Sequence, residues 1–243
     1  MSEPEKDHKL TRKRQRIGMH KERTQNVGKR GSPAPLCWKD VRETIQEELR
    51  RYERHLPLWN THCPLWIKMV VSRLKRERIY WTIRWQAASR WTDYWQQHSG
   101  LIGKVMYGWH VIRRNGLAMK LGIDMSTKNV GRGLYIAHAQ GIIVNGQAML
   151  GRNVQLTGHN CIGKNGSDKC PCIGNNVVLG EGAKVLGDVE IADDIHIGAG
   201  AVVVHSCVTP GATLVGVPAR EVKPKQPQKN FEAAHGHQLN SES

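Results

Sequence analysis

Residues 173–203 read IGNNVVLGEGAKVLGDVEIADDIHIGAGAVV, a stretch with no aromatic residue and few large side chains. Aliphatic residues recur every six positions, and a second, small or aliphatic residue follows each of them four positions later. The first column is Ile173, Leu179, Val185, Ile191, Ile197 and Val203, and the second is Val177, Ala183, Val189, Ile195, Ala201 and Cys207. Neither a helix nor an alternating strand leaves two such columns. The stretch therefore predicts a parallel β-helix built from hexapeptide repeats, with glycine, Asn and Asp in the turns.

The same repeat extends towards the amino terminus. Its earlier members are Val144, Leu150, Leu156 and Ile162 and, before a two-residue slip at Ile142–Val144, Val130, Ile136 and Ile142. Between Ile162 and Ile173 five extra residues interrupt the repeat, within the segment GKNGSDKCPC. We expect a solenoid of about five coils over residues 122–217, with a loop leaving it at this insertion.

The two chain ends have a different composition. The chain has 243 residues and a net charge of +15, and its first 35 residues contain ten Lys or Arg against four acids. No apolar run occurs there, which argues against a signal peptide, and residues 1–35 are predicted to form a disordered basic arm. Nucleic-acid binding by this arm is not favoured, because aromatic residues are not interleaved with its charges. Residues 224–243 are predicted to be a flexible tail.

Residues 36–121 are predicted to be a Trp-rich helical region. All eight Trp lie between Trp38 and Trp109. The segment KDVRETIQEELRRYERH predicts a helix with Val41, Ile45 and Leu49 on one face, and IKMVVSRLKRERIYWTIRWQAASRWTDYW continues the helical pattern. No stretch reaches the roughly 18 apolar residues of a membrane span. A packing face inside a helical domain is the favoured interpretation, and contact with an anionic membrane surface is the alternative.

The six cysteines form no regular framework. Without a secretory signal, reduced thiols and a cytoplasmic location are expected, with the inner membrane surface as an alternative. Cys161, Cys170 and Cys172 lie near His159 and the insertion, but the CPC spacing differs from the usual zinc pattern. We predict no metal site.

Histidines are the candidates for chemistry, because the side chains inside the solenoid are aliphatic. His138 lies between two alanines in GLYIAHAQGII, and an imidazole is suited to general-base catalysis near neutral pH. His159, in LTGHNCIG, is a second candidate. His196 and His205 lie in ordinary repeats and are predicted to be surface residues.

The segment GIDMSTKNVGRGLYIAHAQGIIVNGQAMLGRNVQLTGHNCIG and the later TLVGVPAREVK resemble the hexapeptide-repeat acetyltransferases. The resemblance is to the serine acetyltransferases and their relatives that O-acetylate sugars of surface polysaccharides. It covers residues 122–223 and extends weakly into the helical region. It implies a left-handed β-helix, an exception to the usual right-handed crossover, and the chain is predicted to be mainly β.

The resemblance also implies an activity. His138 would be the general base, and Asp124 would orient it, although Asp124 lies one residue closer to the His than in the family. Acetyl-CoA, the co-substrate, would lie along the turns at Gly163, Gly180, Gly198 and Ala199. A homotrimer with active sites between neighbouring prisms is implied as well.

Two departures from the family pattern bear on the acceptor. Serine acetyltransferases carry an Asp directly before the catalytic His and an Arg-His pair at the end of the loop, where this chain has Ala137 and then Lys169 and Cys170. Those family residues hold the charged groups of the amino acid. A sugar hydroxyl is therefore favoured over L-serine, and the acceptor is predicted to be a small molecule or a sugar.

Two other functions remain open at this point. A zinc-dependent hydratase of the γ-carbonic anhydrase type shares the solenoid but needs three converging histidines, and His138 and His159 have no third at suitable spacing. A non-catalytic scaffold, with the arm and Trp-rich region binding a partner, is the other.

Overall fold

The computed structural model of the protein describes residues 37–57, 62–166 and 168–222. The basic arm predicted over residues 1–35 and the tail predicted over residues 224–243 lie outside the described residues. Four helices come first in the described residues. They are α1 (Trp38–Tyr52), followed by a 3₁₀ turn (Glu53–His55), α2 (Leu65–Leu74), α3 (Arg78–Trp95) and α4 (Leu101–Leu121).

Fourteen short strands follow in the described residues. They are β1 (Ile123–Asp124), β2 (Tyr135–Ile136), β3 (Ile142–Val144), β4 (Met149–Leu150), β5 (Gln155–Leu156), β6 (Cys161–Gly163), β7 (Cys172–Ile173), β8 (Val178–Leu179), β9 (Lys184–Leu186), β10 (Glu190–Ile191), β11 (His196–Ile197), β12 (Val202–Val203), β13 (Thr213–Gly216) and β14 (Ala219–Val222).

The strands form the three faces of a parallel β-helix. The first face is β1-β3-β6-β9-β12, the second is β4-β7-β10, and the third is β2-β5-β8-β11-β13. Parallel bridges Val130–Leu150 and Ile191–Cys207 extend the second face at both ends. Strand β14 pairs antiparallel with β13 and closes the third face. The predicted solenoid of about five coils is confirmed, and so is the loop at the insertion, which lies between β6 and β7.

The core of the prism is formed by the two columns of aliphatic and small residues that the hexapeptide repeat predicts. Every residue of both columns is buried, from Ile173 and Val177 through Val203 and Cys207. Trp85, Leu117 and Leu121 belong to the same buried cluster. The helices therefore share one core with the first coils, because α3 and α4 carry these three side chains into it.

Polar side chains of the helices complete the backbone hydrogen bonds of the first coil. A terminal coil has no preceding coil to pair with, so the N–H and C=O groups on its open end need other partners. The hydroxyl of Tyr52 accepts a bond from the N–H of Ile136 (2.8 Å) and donates to the side chain of Gln86 (2.6 Å). The amide of Gln86 donates to the carbonyl of Leu134 at 3.0 Å. Burial raises the pKa of Tyr52 well above its usual value, so the phenol stays neutral and can both donate and accept.

Arg90 forms a second connection between α3 and the first coil. Its guanidinium donates to the carbonyl oxygens of Val130 (2.8 Å), Gly131 (2.8 Å) and Thr127 (3.3 Å). It also contacts the Glu48 carboxylate at 2.5 Å, and both side chains are buried. Burial raises the pKa of Glu48, and the charge of Arg90 opposes that shift. The ion pair is stabilised by these extra hydrogen bonds, as a buried pair requires.

The buried face of α1 differs from the predicted one. Val41 is buried as expected, but Ile45 and Leu49 are only half-buried. The fully buried side chains are Val41, Thr44, Glu48 and Tyr52. The face is rotated because Glu48 meets Arg90 and Tyr52 meets the first coil, so polar contacts rather than the aliphatic stripe orient this helix.

None of the helices formed by the described residues is long and apolar enough to cross a membrane.

Candidate active site

The corner between the third and first faces, here called corner I, is wider at the first coil than at the second. Strands β2 and β5 align Ile136 with Leu156, and β3 and β6 align Val144 with Ile162. The chain therefore uses eight residues to round corner I in the first coil and six in the second. The slip noted in the sequence is this two-residue bulge, and the bulge carries His138.

His138 is held by its backbone and leaves its side chain at the surface. Its N–H donates to the carbonyl of Thr157 in the next coil at 3.1 Å, and its side chain is exposed. Gly158 lies directly against it. A Cβ on Gly158 would lie 3.1 Å from both the Cβ and the carbonyl oxygen of His138, and the φ of +138° also disfavours any other residue.

Gly158 is a positioning residue that sequence reasoning missed. The only available signal was its place in LTGHN, one residue before His159. Gly158 must be small because it packs against His138 in the neighbouring coil. This contact forms only when the two coils stack.

Asp124 is the residue that the family resemblance assigns to orienting His138. It is exposed on β1, where it pairs in register with Ile143 of β3. Its carboxylate makes no hydrogen bond to the imidazole within the described chain. The structure therefore supplies no contact for the orienting role that the family resemblance implies.

His159 follows His138 at corner I of the second coil. Its N–H donates to the carbonyl of Gln140 at 2.8 Å, and its ring rests against Gly141, where an added Cβ would lie 2.7 Å from Cδ2. Its Nδ1 lies 3.5 Å from a carboxylate oxygen of Glu181 in the third coil. Two exposed imidazoles thus follow one another along this corner, whereas His196 and His205 are surface residues as predicted.

The four predicted cofactor-binding residues divide between two corners. Gly180, Gly198 and Ala199 lie at corner I, where Leu179 and Ile197 stack in register as expected. Gly163 ends β6 and lies at the corner between the first and second faces, here called corner II. The structure brings together the first three and separates the fourth.

Close packing requires glycine at some of these four positions and not at others. A Cβ on Gly180 would lie 2.6 Å from the backbone nitrogen of Ala199, and one on Gly198 would lie 2.9 Å from a methyl group of Val215. Close stacking of the coils explains Gly180. A Cβ on Gly163 would meet no atom of the described chain within 4 Å, and its φ is not in the left-handed region. Packing does not explain glycine there, so the open surface beside Gly163 is the better signal for a ligand.

The insertion emerges from corner II, next to Gly163. Lys169 on this loop forms an ion pair with Asp188 at 2.9 Å, and Cys170 packs against the core of the prism. Ala137, next to His138, packs against the cluster that contains Tyr52 and Tyr135. Three positions depart from the serine acetyltransferase pattern. One holds Lys169, which is paired with Asp188, and the other two hold the small side chains of Ala137 and Cys170.

No group of three or more His, Cys, Asp or Glu within residues 37–57, 62–166 and 168–222 is arranged to hold a metal ion. None of the six cysteines, all of which lie in the described residues, forms a disulfide.

Comparison with known proteins identifies relatives of the β-helix. Serine acetyltransferase of Escherichia coli strain K12 is 35% identical over 116 residues, which is 46% of this chain and 42% of the relative. That of Helicobacter pylori strain J99 is 40% identical over 96 residues, 38% of this chain and 56% of the relative. The predicted resemblance is confirmed.

Solved structures agree with the sequence relatives. The soybean serine acetyltransferase apoenzyme is 26% identical with a TM-score of 0.54, over 75% of this chain and 69% of that one. The serine acetyltransferase of Neisseria gonorrhoeae in complex with serine is also 26% identical, with a TM-score of 0.52 over the same shares of the two chains. No protein-family model matches. This chain spans about half the length of the curated relatives it matches.

Proposed function

We propose that the protein is an acetyl-CoA-dependent O-acetyltransferase with His138 as its general base. The observation that carries the proposal is the bulge at corner I, which presents one imidazole from a fixed backbone on the face of a β-helix related to serine acetyltransferases. In such an assembly the exposed ring would be accessible to a groove between neighbouring prisms. The trimer implied by the family resemblance is part of the proposal.

The proposed reaction is a direct transfer. The neutral imidazole of His138 takes the proton of an acceptor hydroxyl while that oxygen attacks the thioester carbonyl of acetyl-CoA. The carbon–sulfur bond breaks, the thiolate leaves, and the proton held by His138 returns to the sulfur. Gly158 contributes because the absence of a side chain there avoids a clash that would displace the His138 backbone.

In the proposed trimer, the co-substrate would lie at corner II of one prism and reach His138 at corner I of its neighbour. The open surface beside Gly163 would accept a thin pantetheine arm, because no atom of the described residues lies within 4 Å of a Cβ placed there. Gly180, Gly198 and Ala199 offer the same lack of bulk along corner I.

A sugar hydroxyl is the acceptor favoured by the chain's own residues. A free amino acid needs a carboxylate for its ammonium group and a cation for its carboxylate. Ala137 and Cys170 provide neither, and the ammonium of Lys169 already pairs with Asp188. A neutral hydroxyl-bearing ring does not require these charged contacts. Location in the cytoplasm, where nucleotide-linked sugars and acetyl-CoA meet, is part of this proposal.

L-Serine is the second candidate acceptor. The curated relatives are named serine acetyltransferases, and one solved relative was determined in complex with serine. The same β-helix and the same imidazole would serve either hydroxyl.

The test is release of free CoA thiol from acetyl-CoA with a panel of L-serine, nucleotide-linked sugars and lipid-linked sugars. Replacement His138→Asn is expected to lower kcat by about 10²- to 10⁴-fold, the usual contribution of a general base. The matched control His196→Asn removes an exposed imidazole from an ordinary repeat and should leave kcat unchanged.

Each outcome of the panel decides a separate point. Full activity of His138→Asn would overturn the role of that residue. Strict preference for serine would overturn the sugar acceptor but keep the transferase. Failure of every acceptor, with correctly folded protein, would favour a scaffold.

A further inference from the structure

Helix α4 carries a stripe of exposed apolar side chains that nothing in the described chain covers. Gly103, His110, Leu117 and Leu121 are the buried residues of this helix. The opposite side exposes half or more of each of six apolar side chains: Leu101, Ile102, Val105, Trp109, Ile112 and Met119. Contiguous exposed apolar surface of this kind marks an interaction site.

The stripe is straight and is bordered by cations. At 3.6 residues per turn, the six side chains fall within about 100° of arc and extend about 27 Å along the helix. Lys104 lies about 60° outside one edge, and Arg113 lies about 20° outside the other. The guanidinium of Arg113 stands 5.4 Å from the centre of the Trp109 ring, so a cation and an amphipathic ring share this edge. This is the pattern of a helix that lies in a membrane interface.

The charge on α4 has one sign. The helix contains Lys104, Arg113, Arg114 and Lys120 and no acidic residue. Self-association through this stripe would bring like charges together in either a parallel or an antiparallel pair. An anionic lipid surface would instead neutralise them, with each basic residue adding to binding.

We propose that α4 docks the protein on the surface of an anionic bilayer, with the stripe in the headgroup region and Lys104, Arg113 and Lys120 on lipid phosphates. The helix would lie parallel to the membrane plane. This inference concerns where the protein works and does not depend on the proposed reaction.

The experiment is co-sedimentation of the full chain with vesicles of phosphatidylcholine alone and of phosphatidylcholine mixed with phosphatidylglycerol. The double replacement Val105→Ser/Ile112→Ser is expected to lower the partition coefficient on mixed vesicles by about tenfold or more, because two apolar contacts with the acyl boundary are lost. The matched control Val208→Ser/Val215→Ser removes two exposed valines of the β-helix and should bind as the parent does.

A second variant tests the charge. Lys104→Gln/Lys120→Gln should weaken binding to mixed vesicles and make its remaining loss with salt shallower, while leaving any weak binding to phosphatidylcholine unchanged. Circular dichroism and thermal melting verify that each variant is folded.

Three results would overturn the proposal. The first is equal binding by the stripe variant and the parent, which would assign the affinity to another part of the chain, such as the basic arm. The second is equal binding to both vesicle types. The third is a lower sedimentation mass of the stripe variant without lipid, which would show that a second copy covers α4.

Discussion

Replacement of Gly163 offers the sharpest test of where acetyl-CoA binds, because close packing does not require a glycine at this position. We consider Gly163→Val. The new Cβ would meet no atom within 4 Å among residues 37–57, 62–166 and 168–222, and the φ of residue 163 lies outside the left-handed region. Reduced freedom of the unfolded chain should therefore raise the free energy of unfolding by about 0.4–1 kcal/mol, as for a compatible Gly→Ala. For a domain of this size that is a Tm increase of about 1–4 °C.

The catalytic effect should have the opposite sign. A branched side chain at corner II would occupy the space proposed for the pantetheine arm. Loss of one good contact is worth about 1.4 kcal/mol, so we expect KM for acetyl-CoA to rise at least about tenfold. The acceptor KM should change little. Initial rates at varied acetyl-CoA and calorimetric titration with CoA measure these quantities.

Gly180→Val is the matched control on stability. Its Cβ would lie 2.6 Å from the nitrogen of Ala199, so backbone must move. We expect overpacking to cost about 1–3 kcal/mol, seen as a Tm lower by several degrees. An unchanged KM for acetyl-CoA in Gly163→Val would refute the assignment of Gly163 to the co-substrate site, and a strong loss of stability there would refute its being open surface.

Three further predictions concern buried polar side chains of the helical region. Arg90→Met should lower the free energy of unfolding by about 3–5 kcal/mol in urea melts, because it leaves the buried Glu48 carboxylate without a counter-ion; no change would show the pair to be unimportant. Tyr52→Phe should cost about 1–3 kcal/mol in the same assay, because the Ile136 N–H loses its acceptor; a neutral result would contradict that bond. Burial lowers the pKa of His110 below 6.5, so its contribution to stability is complete above pH 6.5 and is lost as pH falls through the lowered folded value. His110→Phe should therefore flatten the decline in urea midpoint below pH 6.5, and an unaltered pH profile would contradict this.

The β-helix was predictable because its rule is local and repeated. Each inward residue meets the same environment one coil away, so the six-residue step alone predicts its burial, and the structure buries both columns. The bulge that carries His138 was visible for the same reason, as a slip in the step between Ile142 and Val144. The helical region was visible from its composition, but its packing was not. The sequence indicated an aliphatic face on α1, whereas the helix turns its polar side towards the first coil.

The sequence by itself determined the solenoid, the number of its coils, the position of the insertion and the imidazole at corner I. Only the tertiary structure decided that Gly158 packs against His138, that the Asp124 carboxylate makes no hydrogen bond to that imidazole within the described residues, and that Gly163 lies at a different corner from Gly180. It also decided that α4 exposes its apolar stripe. The physical reason is that a periodic pattern specifies which side of the chain faces inward, whereas contacts between coils or helices depend on how distant segments stack.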